Sequence, residues 1–250
     1  EISNLIRLYE TELARAPQEF QDEERDQAKR MILETAVAYQ NEYNKTKDIR
    51  TLEYTQRLYD EYLRVFRKNE NAYQISWNNA LLMLTTEKYE QAAAEFEAVI
   101  AMNPDGEYAD PAAERAVLAY LKVVQFKNQR IKSEAEDDLK EQELPQEDRR
   151  FVTAIDRWMS IVAKKGENPE TKDNVPTARF AAAKVYYNYN HFSESARRFA
   201  AFLDQHPGHP LENDARMHVL SAYNLAADID NLRAYANKFD GIPNVPSDLR

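Results

Sequence analysis

The residues best suited to proton or metal chemistry near neutral pH are four histidines, His191, His206, His209 and His218. His206-Pro207-Gly208-His209, close to Asp204, has the donor types of a metal site. A turn that closes a helix at Pro207 explains the same residues, and that reading is preferred. Asp228 and Asp230 in AADIDN read as a solvated turn or a helix cap, since a full calcium loop is missing. Glu107, Asp110 and Glu114 could meet in space, yet a chain this acidic brings carboxylates together without purpose. There is no GxGxxG, P-loop, GxSxG or HExxH motif. The expectation is a protein that is not an enzyme, with no catalytic residues, no bound metal and no cofactor.

Composition narrows the class further. The 250 residues carry a formal net charge of −10, which argues against a nucleic-acid surface and against adsorption to an anionic membrane. Zero cysteines removes disulfides and zinc–thiolate sites, but leaves the compartment open. No apolar run approaches the roughly 18–20 residues needed to span a bilayer, so no membrane insertion is expected. Only 4 glycines are present, so glycine-dependent turns and phosphate-cradling loops are expected to be scarce. Good helix formers dominate between the aromatics, and no stretch alternates with period two. The fold class is all-α.

The elements that must position any site are short amphipathic helices in pairs. In Ala178–Pro207, Phe180, Ala183, Tyr186 and Tyr187 share one helical face. After a break at Asn188–His191, Phe192, Ser195, Phe199, Phe202 and Leu203 share another, and His206-Pro207 ends the helix. Each face needs neighbours to bury it. Asn71–Pro104 is a second copy: the spacings from Tyr89 to Ala92, Phe96 and Pro104 equal those from Phe192 to Ser195, Phe199 and Pro207. Pro104 and Pro207 lie 103 residues apart, close to three periods of about 34.

The remaining chain fits the same plan. A half repeat at residues 1–17 (Leu5, Ile6, Tyr9, Leu13) precedes repeats at 18–70, 71–104, 105–172, 173–207 and 208–243, and 244–250 reads as the start of a further segment. The absence of an initiator methionine at Glu1 agrees with a piece of a longer protein. Within 105–172, the charged stretch 127–150 exceeds an ordinary helix–helix turn. It reads as extensions of the flanking helices with a solvated tip; the alternative is a protruding hairpin that docks a partner.

These features resemble the tetratricopeptide repeat (TPR), a 34-residue helix–turn–helix with the pattern W-x2-L-G-x2-Y, then A-x3-F, then P. The matching residues are Ala80, Met83, Ala92, Phe96 and Pro104 in one copy, and Ala183, Tyr186, Ser195, Phe199 and Pro207 in the other. Alanine replaces the signature glycine, Met83 replaces the tyrosine, and no copy holds both the tryptophan and Leu-Gly. The resemblance implies a right-handed superhelical solenoid over residues 1–250 whose first helices line a concave groove. It places Gln74, Trp77, Leu81, Glu114, Leu118, Phe180, Lys184, Tyr187 and Asn188 near that groove. Trp77, Leu81, Phe180, Lys184, Tyr187 and Asn188 are the candidate partner-binding residues, with packing between repeats as the competing role for Trp77 and Tyr187. The Lys/Asn pattern that clamps a C-terminal carboxylate in some TPR domains is not assembled.

The implied function is a non-catalytic scaffold that holds a protein or peptide partner. The aromatic-rich repeats look most like those of bacterial cell-envelope TPR proteins, which implies a periplasmic or envelope location. Alternatives are an extracytoplasmic glycan or solute binder on the same frame, and a helical accessory domain of a larger enzyme.

Overall fold

In a computed structural model, residues 18–128 and 139–240 are described; the expected half repeat at 1–17 and the segment 244–250 lie outside them. The described residues form ten α-helices and one short 3-10 turn, with no strand among them. The helices are α1 (Gln18–Thr46), α2 (Ile49–Phe66), α3 (Ala72–Thr85), α4 (Tyr89–Met102) and α5 (Ala109–Asn128). They continue as α6 (Gln146–Lys165), α7 (Val175–Asn188), α8 (Phe192–Gln205), α9 (Glu212–Leu225) and α10 (Ile229–Asp240). The chain divides into two compact units, Glu1–Ala112 and Ala113–Arg250.

In the first unit α1 packs on α2, α2 on α3 and α3 on α4. Ile32 and Ala36 of α1 meet Leu52, Tyr59, Tyr62 and Phe66 of α2, at the helical spacing the sequence predicts. Fully buried Ala80, Ala92 and Ala93 let α3 and α4 approach closely around Phe96 and Val99. Polar ties reach over from α2: Asn79 Nδ2 donates to Asp60 Oδ1 at 2.8 Å, and Lys88 Nζ to Gln56 Oε1 at 2.6 Å.

In the second unit α7, α8 and α9 pack in sequence, with α6 against α7 and α10 against α9. Their core holds Ala183, Phe199, Phe202, Ala215, Val219 and Phe239, while Trp158 of α6 is 1% exposed. Ser195, buried on α8, donates its hydroxyl to the Ala183 carbonyl at 3.0 Å, which satisfies a polar group in the apolar interface.

One turn recurs. In Thr86–Lys88, Tyr189–His191 and Ala226–Asp228 the last N–H bonds a carbonyl five residues back, Lys88 to Met83, His191 to Tyr186 and Asp228 to Tyr223, each at 2.9 Å. The middle residues Glu87, Asn190 and Ala227 have φ of 59°, 64° and 55°, and Lys47 between α1 and α2 has 57°. This is the Schellman arrangement, in which a left-handed residue lets the helix end satisfy its carbonyls. The scarcity of glycine does not prevent such turns, because here they are made without it. The bonds and the packing of both flanking helices hold non-glycine residues in the left-handed region.

In the charged stretch 127–150, α5 runs on to Asn128 and α6 starts at Gln146; residues 129–138 lie outside the described residues, and 139–145 are not helical. Gln142 N–H donates to the Tyr189 carbonyl at 3.0 Å, Asn190 Nδ2 to the Lys140 carbonyl at 2.9 Å, and His191 Nε2 lies 2.8 Å from the Gln142 carbonyl. Leu144 is buried. Main-chain groups bind this segment to the α7–α8 turn, which a reading of charge alone does not register.

Candidate functional site

In the second unit the four candidates on α7 share one face, since Phe180, Lys184, Tyr187 and Asn188 fall at i, i+4, i+7 and i+8. The neighbouring face of α9 carries Asp214, Met217, His218 and Ser221 at i, i+3, i+4 and i+7. The two faces touch. Tyr187 Oη and Ser221 Oγ are 2.7 Å apart, and Lys184 Nζ is 3.4 Å from His218 Nε2. Both pairs are separated by 34 residues, whereas α7 and α9 begin 37 residues apart, at 175 and 212. The helices therefore meet offset by about one turn.

His218 sits among rings: Phe199 at 4.8 Å nearly parallel, Tyr187 at 4.9 Å and Phe180 at 6.0 Å. Phe180 in turn packs edge-on against Phe199 at 5.0 Å. Burial, reinforced by the Lys184 charge, holds the His218 pKa below its ordinary value. An ammonium only donates, so Nε2 accepts and the ring is neutral. Lys184, Asn188, Asp214 and Met217 are exposed, while Phe180, Tyr187 and His218 are half-buried. The face thus has an aromatic floor and exposed polar and thioether arms. Of its α9 half the sequence analysis names only His218, as a histidine and not as part of this face; adding 34 to Lys184 and Tyr187 gives His218 and Ser221.

In the first unit Gln74, Trp77 and Leu81 share one face of α3. Trp77 stacks on Tyr108 at 5.2 Å with an interplanar angle of 2° and tilts on Phe96 at 5.6 Å. Tyr108 is fixed by its N–H, which donates to the Tyr73 hydroxyl at 2.9 Å. Trp77 and Leu81 are half-buried and Gln74 is exposed. Much of the Trp77 ring is therefore engaged in packing.

Glu114 does not open onto a groove. It is buried, pairs with Arg115 at 3.1 Å and accepts from Asn174 Nδ2. Leu118 is exposed.

The acid–base candidates are absorbed locally. His209 Nδ1 accepts the Leu211 N–H at 3.1 Å, and Asp228 accepts from Asn231 N–H at 3.2 Å as a helix cap. No group of three His, Asp or Glu among the described residues could hold a metal ion. No described helix is long and apolar enough to cross a membrane. Sequence reasoning passed over Asp148, which is buried at the start of α6 and accepts from Tyr189 Oη at 3.0 Å. Burial raises the pKa of both, that of Tyr189 to about 12.

Helix pairs closed by one repeated turn define an all-α, TPR-like repeat protein. No family model and no curated protein matches the chain. Among solved structures it is similar to YrrB, a TPR protein with an unusual peptide-binding site, at 18% identity over 86% of this chain and 89% of that one, with a TM-score of 0.43. It is similar to MamA at 11% identity over 85% and 99%, with a TM-score of 0.45. A tetratricopeptide repeat protein from Parabacteroides merdae ATCC 43184 aligns at 12% identity over 82% and 79%, with a TM-score of 0.28. The repeat assignment rests on the recurring turns and helix pairs of this chain.

Proposed function

We propose that the protein is a non-catalytic scaffold that binds a protein or peptide segment along the α7–α9 face, within a bacterial cell-envelope assembly. The observation that carries this is the pairing of a half-buried aromatic floor (Phe180, Tyr187, His218) with exposed Lys184, Asn188, Asp214 and Met217. Rigid rings supply contact area at low entropic cost, and exposed charges of both signs suit a mixed-charge polypeptide better than a polyanion. Trp77 and Leu81 offer a second contact region on the first unit. The net charge of −10 disfavours nucleic acid as the partner.

The test is quantitative affinity capture from source cells with the wild-type chain and with Lys184→Glu and Asn188→Ala variants shown by circular dichroism to be folded. Recovery of a defined protein that drops with Lys184→Glu supports the face. Equal recovery by all three baits removes it. Cell fractionation tests the envelope part separately: recovery of the native protein with the cytosol would overturn it.

A further inference from the structure

A cleft of about 240 Å³ lies between α6, α7 and α8, reached on α7 by Arg179 and Ala182. Its apolar wall includes Ile155, Met159 and Phe202, and its polar lining is Arg179, Arg197 and Arg198 with Asp156 and Gln205. Arg198 is paired with two carboxylates: it binds both oxygens of Asp156 at 2.7 and 2.8 Å and Glu194 at 2.6 Å. Arg197 is bonded to the same Glu194 at 2.6 and 2.8 Å. That group of two arginines and two carboxylates is neutral in sum.

Arg179 is left over. Its Nε is shut away from solvent with no hydrogen-bond partner among the described residues, although the side chain lines the cleft. Burial pulls its pKa below the ordinary arginine value, with only partial compensation from Glu167 and Asp156. A second buried nitrogen, Nε2 of His206 at the end of α8, also lacks a partner, and its ring lies 5.3 Å from Phe202. Burial lowers its pKa first, and the Arg179 charge lowers it further. An unsatisfied buried donor on a guanidinium that lines the cleft is costly in a native structure and asks for an acceptor, and the His206 ring, packed on Phe202 of the cleft wall, is placed to report on it.

We propose that this cleft binds a carboxylate carried on a short apolar stem, with the carboxylate on Arg179 and the stem against Met159 and Phe202. A carboxylate matches the guanidinium fork and pairs with the cleft arginine to which no carboxylate of the described residues is bonded. The apolar wall accounts for the space beyond it. The assignment does not rest on the partner-binding face.

The test is calorimetric titration of the full chain with hexanoate, with inorganic phosphate, and with a short peptide ending in leucine in free and amidated forms. His206 ring resonances are followed by NMR. The expected result is saturable hexanoate or free-peptide binding that raises the His206 pKa. Arg179→Met should weaken it roughly 10- to 100-fold while leaving the unliganded melting temperature unchanged or higher. Ala201→Leu, which fills the cleft and leaves Arg179 in place, should also weaken it. Binding of hexanoate alone identifies a free acid as the ligand, and peptide binding lost on amidation identifies a chain end. Equal binding of phosphate overturns the apolar stem. Absence of saturable carboxylate binding, or binding indifferent to both substitutions, overturns the site.

Discussion

Tyr187 Oη and Ser221 Oγ stand 2.7 Å apart, joining consecutive first helices through the same face that presents the candidate binding residues. Partner-facing geometry and repeat stacking therefore share an atom pair. Tyr187→Phe and Ser221→Ala should each cost about 0.5–1.5 kcal/mol. A double-mutant cycle in urea should return a coupling of about 1 kcal/mol. Strictly additive effects would mean that the two hydroxyls do not bond in solution.

His218 supplies a pH response in the same place. Its folded pKa lies below the ordinary value of about 6.5, so its contribution to stability is present above that value and lost as pH falls through the folded pKa. Replacement by phenylalanine, which keeps a ring between Phe199 and Tyr187, should reduce the stability lost between pH 7 and pH 5. Lys184→Met should shift the His218 titration upward by NMR, because one of the two causes of its depression is removed. An unmoved titration would refute the Lys184–His218 contact.

Asp148 responds with the opposite sign. Burial raises its folded pKa, so its contribution favours folding below the ordinary carboxylate range and is lost as pH rises through the folded value. Asp148→Asn retains an oxygen for the Tyr189 hydroxyl and removes the buried charge. The variant should be more stable than wild type at pH 7, with the difference shrinking towards pH 4. A variant equally destabilised at both values would show that the carboxylate is needed for another bond.

Gly106 marks a close approach in the first unit. A methyl group there would overlap the Tyr73 hydroxyl and the Asn103 amide. Tyr73 must then release the Tyr108 N–H that positions the ring stacked on Trp77. Gly106→Ala should cost roughly 1–3 kcal/mol and shift the fluorescence of Trp77. Unchanged emission would indicate that Tyr108 keeps its place without Tyr73.

What was legible in the sequence follows from what periodicity encodes. Phe96 and Phe199 are fully buried, and Ala92 and Ser195 lie beneath them, because equal offsets place equal residues on equal faces. Lys184 and Tyr187 follow from the repeat register, and their partners His218 and Ser221 lie one 34-residue period on, although α7 and α9 themselves begin 37 residues apart, so counting from the helix starts misses the pairs. Arg179 looked like one charge among many. Its isolation depends on Glu194 and Asp156 being taken by Arg197 and Arg198, which no linear spacing records. The docking of Gln142 on Tyr189 uses main-chain atoms that every residue possesses, so side-chain types gave no sign of it.

The left-handed residues at Lys47, Glu87, Asn190 and Ala227 bear on cooperativity. For a non-glycine residue that backbone state costs about 1–2 kcal/mol, and the hairpins around Glu87 and Asn190, each of two 14-residue helices, have little to set against it alone. Such a hairpin depends for its stability on the helices packed beside it within its own unit. Intrinsic instability combined with strong coupling between neighbours is the condition under which a linear array melts as a block rather than fraying repeat by repeat. A turn built on glycine would loosen that condition, leaving a more tolerant hairpin and a less concerted transition.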